Sequence, residues 1–265
     1  MSDSRTLTSS AMTVTLGGLS LSRLPAHEAD VRAAAIVLAG GAGSRAALTG
    51  NKVYAPLAGR SVLSYSLQTC QSVTDIEVVV VVVRGEDREA AASALAEARF
   101  GKRVIVTEGG SSRTASEIAG LDVLRTAERS ALDIIAIHDG ARPFAGKRLF
   151  GDVITTAADV GGAVPGTPLQ TPLFAVTGRA TERILRDRLV AVQTPQAFRS
   201  TALFAAYEAA RTSGLAYADT AEAVERHSDT EIALVPGGAS NLKITYADDL
   251  VSAEALAPAF AAGCW

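Results

Sequence analysis

A chain of 265 residues, 48% of them apolar, can bury a sizeable core as one large domain or two small ones. Its formal net charge of −3 argues against a general nucleic-acid binder, which would carry a basic surplus, and no apolar run is long enough to span a membrane. The two cysteines, Cys70 and Cys264, lie too far apart for a metal or redox motif, which points to a reducing cytoplasm.

Residues 1–32 are rich in Ser and Thr and lack both a continuous apolar core and a small-residue cleavage site. They read as a mobile N-terminal tail, although the loose alternation over 12–21 is compatible with an edge strand. Ala33–Leu38 is a short apolar run that reads as a buried strand. It breaks into Gly40-Gly41-Ala42-Gly43 and Ser44-Arg45, with Lys52 seven residues after the arginine. Glycines expose backbone N–H groups that no Cβ shields, so an anion can approach closely, and two cations stand just beyond. The expectation is a loop that holds the triphosphate of a nucleotide. It is not the dinucleotide fingerprint, whose sixth position would be glycine rather than Arg45, nor a Walker loop.

The apolar spacing over 61–72 predicts a helix opening on Ser61 as a cap. The segment 76–85 holds six consecutive valines and predicts a strand buried on both faces, as in a parallel sheet. A helix over 86–99, a strand over 103–107, a helix over 111–126 and a strand over 132–138 follow. This alternation of strand and helix predicts a mostly parallel α/β sheet covered by helices on both faces. Over 161–193, Pro165, Pro168 and Pro172 interrupt the rhythm, and the stretch reads as a protruding hairpin or extended arm. Beyond it come helices over 200–212 and 219–227, short strands over 232–235 and 242–245, and a closing helix over 247–262. Residues 33–265 read as one domain, with 166–190 as its arm.

In an open α/β sheet, ligands lie beyond the carboxyl ends of the strands, and each informative polar cluster falls there. Gly109-Gly110-Ser111-Ser112-Arg113 with Ser116 is compatible with an anion site or with a simple helix cap. Asp139, in His138-Asp139-Gly140-Ala141-Arg142-Pro143, is a natural Mg²⁺ ligand beside phosphates. Its alternative is an ion pair with Arg142 that only shapes the turn, and His138 reads as a structural histidine. Lys243 lies in an apolar stretch, where a charge is costly unless it points into a polar site. Asp219 either caps its helix or supplies a second carboxylate to the metal.

The glycine loop with its Arg and Lys, GGxxRxxS, HDxARP, QTPQxF and NxKIT stand here in the order that resembles the 2-C-methyl-D-erythritol 4-phosphate cytidylyltransferase family, over about 33–255. The resemblance implies a Rossmann-like nucleotidyltransferase sheet and transfer of CMP from CTP to a sugar phosphate in the non-mevalonate isoprenoid pathway. It implies a cytoplasmic homodimer joined through the arm, with Mg²⁺ on Asp139. Arg45 and Lys52 match the pair that stabilises the α-phosphate. Ala39, Gly40, Gly41, Gly43, Gly109, Arg113 and Ser116 match nucleotide-binding positions, and Asp139 and Lys243 match residues facing metal and phosphates. Thr171, Arg186 and Arg142 match the acceptor side. Departures concentrate there: Gln170-Thr171-Pro172-Leu173 stands where the arm often reads Asp-Thr-hydrophobic-Lys. Asn51-Lys52-Val53 replaces Pro-Lys-Gln, and Ala218-Asp219-Thr220-Ala221 replaces Thr-Asp-Asp/Glu-Ala. These departures leave open another acceptor such as ribitol 5-phosphate, or a non-catalytic nucleotide-binding homologue.

Overall fold

The computed structural model describes residues 13–16, 19–22, 31–41, 50–127, 132–185 and 189–263. Gly43, Arg45, Arg186 and Cys264 lie outside the described residues. Near the N-terminus, β1 (Thr13–Leu16) and β2 (Leu19–Ser22) pair antiparallel with each other.

The main sheet begins with β3 (Ala33–Leu38), which pairs in parallel with β6 (Ile76–Val83) and with β8 (Ile134–Asp139). Between β3 and β6 come a 3₁₀ turn at Lys52–Tyr54, a ribbon of β4 (Pro56–Leu57) and β5 (Arg60–Ser61), and α1 (Val62–Ser72). α2 (Arg88–Glu97) leads to β7 (Arg103–Glu108), which extends the parallel order beyond β6, and α3 (Arg113–Ala127) returns to β8. After α4 (Gly146–Val160), β9 (Gly161–Pro168) runs into a hairpin of β10 (Leu173–Thr177) and β11 (Ala180–Ile184) that, among the described residues, pairs only with itself. β12 (Val190–Val192) and β13 (Gln196–Arg199) follow each other antiparallel to β9, and β13 also pairs with β8. The chain ends through α5 (Ser200–Ser213), α6 (Thr220–His227), β14 (Glu231–Pro236), parallel to β9, and α7 (Ala247–Ala261).

The valine run explains the layering. Successive side chains on a strand point to opposite faces, so a strand apolar at every position requires cover on both. Val79, Val81 and Val83 join a core with Leu63, Leu67, Ala91, Phe150 and Ile154, from α1, α2 and α4. Val78, Val80 and Val82 join another with Leu121, Leu124, Leu203, Ala206 and Val224, from α3, α5 and α6. A third cluster packs α7 onto Leu57, Tyr65, Phe144 and Ile244.

Four local expectations are corrected. Residues 161–168 belong to the sheet as β9 rather than to the arm, and Pro165 is tolerated because its missing N–H falls between β12, in register with 166–168, and β13, in register with 162–163. Residues 242–245 form no strand: the Ile244 N–H donates to Ala141 C=O instead of joining a ladder. Ser61 precedes α1 but does not cap it, since its hydroxyl donates to Glu97. Finally, α4 has no counterpart in the sequence reading.

Candidate active site

Four strands of the sheet end on one edge, and the candidate segments leave from there. Leu38 stands in register with Asp139, and Val83 with Glu108. The Gly140 N–H donates to Leu38 C=O at 2.9 Å and the Gly109 N–H to Val83 C=O at 2.8 Å. A Cβ on Gly109 would lie 2.7 Å from Ser116 Oγ and 2.9 Å from Val82 Cγ1, so only glycine permits this approach of loop to strand.

Asp139 is the centre of the cluster. Arg113 Nη1 donates to its Oδ1 at 2.5 Å and Lys243 Nζ to its Oδ2 at 2.7 Å, while Arg142 Nε stands 3.8 Å from Oδ2. Burial opposes the Asp139 charge, but Arg113, Lys243 and Arg142 outweigh it and hold the carboxyl well below the usual range. Burial also works against Arg113, where Asp139 and Glu117 prevail and raise its pKa. For Arg142 burial wins and its pKa falls. Arg113 Nη2 and Arg142 Nε are buried donors without a hydrogen-bond partner among the described residues. A buried guanidinium N–H left open is costly, and a bound anion would satisfy it.

Behind this cluster a chain of hydrogen bonds links His138, Thr194, Gln193 and Asn241, with the Asn241 Oδ1 left without a partner among the described residues. His138 Nε2 lies 3.1 Å from Arg142 C=O, so it carries the proton and donates. Its Nδ1 then accepts from the Thr194 hydroxyl, and the Thr194 oxygen in turn accepts from the Asp139 N–H at 3.0 Å. Burial pushes the His138 pKa down to about 4, keeping it neutral. Asn241 ties the remaining segments together: its Nδ2 donates to Gln193 Oε1 and Thr194 C=O, and its own carbonyl accepts from Arg142 Nη1 at 2.7 Å. The HDGARP, QTPQAF and NLKIT segments are therefore one hydrogen-bonded unit.

Lys52 opens the 3₁₀ turn, and the residue before it anchors that turn. Asn51 Nδ2 donates to Ala39 C=O at 2.6 Å and to Asp87 Oδ2 at 2.8 Å, while Arg84 grips the same carboxylate. Ala39 is buried just past Leu38, whereas Gly41 is exposed and a Cβ there would meet nothing within 4 Å. Gly40 lies between them, in ordinary contact with the Val83 backbone.

The structure thus brings together Arg113, Asp139, Arg142 and Lys243, with Ala39, Gly40, Lys52 and Gly109 at the same sheet edge. Ser116 Oγ donates to Ser112 C=O, and Ser112 Oγ accepts from the Ala115 N–H, which is a helix cap. Thr171 is exposed at the base of the hairpin and is not part of the Asp139 cluster. Asp219 caps α6: its Oδ1 accepts from the Glu222 N–H and its Oδ2 from Gln196. The sequence reading gave no site role to Thr194, Glu117 or Asn51. Thr194 was signalled by its place in QTPQAF, and Glu117 by its position four residues after Arg113 on a helix. No group of three or more His, Cys, Asp or Glu side chains forms a metal cage among the described residues. No helix among them is long and apolar enough to cross a membrane.

A parallel-rich α/β sheet with cationic side chains around one carboxylate at its carboxyl edge defines a nucleotidyltransferase-like protein. The comparisons narrow this. The model of the 2-C-methyl-D-erythritol 4-phosphate cytidylyltransferase family matches residues 33–258, and the chain belongs to that family. It is 38% identical over 231 residues to the 2-C-methyl-D-erythritol 4-phosphate cytidylyltransferase of Cereibacter sphaeroides, covering 87% of this chain and 98% of that one. It is 34% identical over 223 residues to that of Geobacillus kaustophilus, covering 84% and 95%. Among solved structures, the 4-diphosphocytidyl-2C-methyl-D-erythritol synthase of Anaerococcus prevotii superposes with a TM-score of 0.75 at 26% identity, covering 86% of this chain and 97% of that one. The Thermus thermophilus cytidylyltransferase superposes with a TM-score of 0.69 at 31% identity, covering 86% and 100%.

Proposed function

We propose that this chain is a cytoplasmic enzyme that transfers CMP from CTP to 2-C-methyl-D-erythritol 4-phosphate, releasing pyrophosphate. The observation that carries the reading is the pair of buried, unpartnered donors on Arg113 and Arg142, flanking Asp139 where phosphates would lie. Family membership supplies the nucleotide and the acceptor.

An oxygen of the acceptor's phosphate attacks the α-phosphorus of CTP. The new O–P bond forms as the bond to the β-phosphate bridging oxygen breaks, and pyrophosphate leaves. The attacking phosphate is already ionised, so no general base is required, in keeping with a neutral, fully hydrogen-bonded His138. Catalysis is then positioning and charge stabilisation. Arg45 and Lys52 meet the charge that grows on the α-phosphate, and the exposed Gly41 lets the phosphates approach. Lys243 turns from Asp139 to the phosphates, a motion its half-exposed side chain permits. Arg142, with Thr171 and Arg186 from the arm, receives the acceptor.

Asp139 is the residue that would hold Mg²⁺. A lone carboxylate suits that ion, which takes most of its other ligands from phosphates and water, and both Asp139 oxygens accept from cations until substrate arrives. When bound, the ion supplies charge neutralisation on the phosphates.

Pyrophosphate release tests the reading, with each nucleoside triphosphate, Mg²⁺, and either 2-C-methyl-D-erythritol 4-phosphate or ribitol 5-phosphate. The expected best pair is CTP with the first acceptor. Preference for ribitol 5-phosphate would overturn the acceptor assignment, and no release from any pair would overturn the transfer.

A further inference from the structure

Glu117 is fully buried inside α3, and each of its contacts has a direction. Its Oε1 accepts from Arg113 Nε at 2.9 Å and from the Thr220 hydroxyl at 2.9 Å, while its Oε2 accepts from the Tyr207 hydroxyl. Burial pushes its carboxyl pKa up, against the pull of Arg113 and the two hydroxyls. Burying an acid is costly unless its oxygens are partnered, and both Glu117 oxygens are. Here it fixes one edge of the Arg113 guanidinium. With Nε held by Glu117 and Nη1 held by Asp139, the planar group cannot rotate, and Nη2 is left as the open donor.

Thr220 adds a second observation. Its hydroxyl reaches across from α6 to donate to the same Oε1 that holds Arg113 Nε, so the carboxylate is itself fixed from a second helix. We propose that Glu117 is a positioning residue that aims Arg113 at the nucleotide's phosphates, itself held by Tyr207 on α5 and Thr220 on α6. The inference rests on the cytidylyl-transfer reading and goes beyond it, to what holds Arg113.

The test uses the full chain and steady-state kinetics with CTP, 2-C-methyl-D-erythritol 4-phosphate and Mg²⁺. Glu117→Gln keeps the volume and removes the charge; kcat/KM for CTP should fall about 10- to 100-fold, the usual cost of losing an orienting partner behind a working group. Because Glu117 acts through Arg113, the same substitution in an Arg113→Ala background should cost nothing further. Glu117→Val should lose activity likewise, and adding Thr220→Glu should recover most of it, since the carboxylate returns from the other helix. A merely structural carboxylate would give neither the non-additivity nor the recovery. The proposal is overturned if a folded Glu117→Gln stays within about twofold of the parent, or if its loss multiplies with that of Arg113→Ala. If the parent chain released no pyrophosphate from any pair, the transfer reading would fail instead. Calorimetric titration of the same variants with CTP would then decide the role of Glu117, and an unchanged Kd in Glu117→Gln would overturn it.

Discussion

Lys243 stands 104 positions after Asp139, yet its Nζ lies 2.7 Å from the Asp139 Oδ2. No strand carries it there. Asn241, two residues earlier, is tied to Gln193 and Thr194, and the Ile244 N–H is tied to Ala141, so the intervening lysine is delivered to the carboxylate by the loops around it.

The two members of this pair should respond differently to removal. Asp139 is buried among three cations, and taking away the partner of buried charges costs about 3–5 kcal/mol. Asp139→Asn should therefore lower the unfolding free energy by roughly 3 kcal/mol. Lys243 is half-exposed, so Lys243→Ala should cost little stability, about 1 kcal/mol or less. Its turnover should nonetheless drop by about 10²–10³, as when a preorganised donor is removed. Urea titration and kcat measured on both variants check the contrast; equal stability losses would contradict it.

His138 makes acid the destabilising direction. Its folded pKa is about 4 against an ordinary value of 6.5. As pH falls, the unfolded chain takes up the proton first, so stability from the neutral imidazole is complete above about pH 6.5 and drains away down to about pH 4. The shift corresponds to roughly 3 kcal/mol. Asp139, with its depressed pKa, adds a loss only at still lower pH. Urea midpoints between pH 7 and 4.5 should fall more steeply for the parent than for His138→Asn, which cannot titrate there. Parallel curves would mean that His138 is not held neutral.

Asn51 should matter to both stability and rate. It joins Ala39 C=O to Asp87 immediately before Lys52, so Asn51→Ala leaves a buried carbonyl and a carboxylate oxygen without that donor. The expected stability loss is about 1–3 kcal/mol. The turn carrying Lys52 loses its anchor as well, so kcat should fall while the acceptor KM changes little. Lys52→Ala itself should cost on the order of 10²–10³ in kcat. An Asn51→Ala enzyme with unchanged kcat would show that the turn holds its place without this bridge.

Much of this arrangement is legible in the chain. Ala33–Leu38 and the valine run stand out because a strand buried on both faces has no polar alternation, and glycine or charge ends each abruptly. Asp139, Arg142 and Lys243 stand out because charges in apolar surroundings need partners. Other features are hidden for physical reasons. Leu242 and Ile244 alternate like a strand, but the hydrogen bonds that decide their state come from distant loops. Glu117, four residues after Arg113, looks like an ordinary surface helix pair, and only the packing of α5 and α6 buries it. α4 was readable from Phe150, Val153, Ile154 and Ala157 at helical spacing, but the prolines that follow draw attention to 161–193 instead.

The arm is where charge should alter assembly without touching the nucleotide side. Among the described residues β10 and β11 pair only with each other, and a lone hairpin is marginally stable in water. Yet Val176 is 67% exposed and Leu185 is 79% exposed, apolar surface available to the homodimer that the family resemblance implies. Val176→Glu combined with Leu185→Glu should convert a dimer to a monomer in light scattering. With the acceptor role proposed for Thr171 and Arg186, the acceptor KM should rise while that for CTP stays nearly constant. Arg186→Ala should likewise raise the acceptor KM, because a guanidinium suits a phosphate dianion through two oxygens. If the double variant remained dimeric with an unchanged acceptor KM, the arm would be neither the interface nor part of the acceptor site.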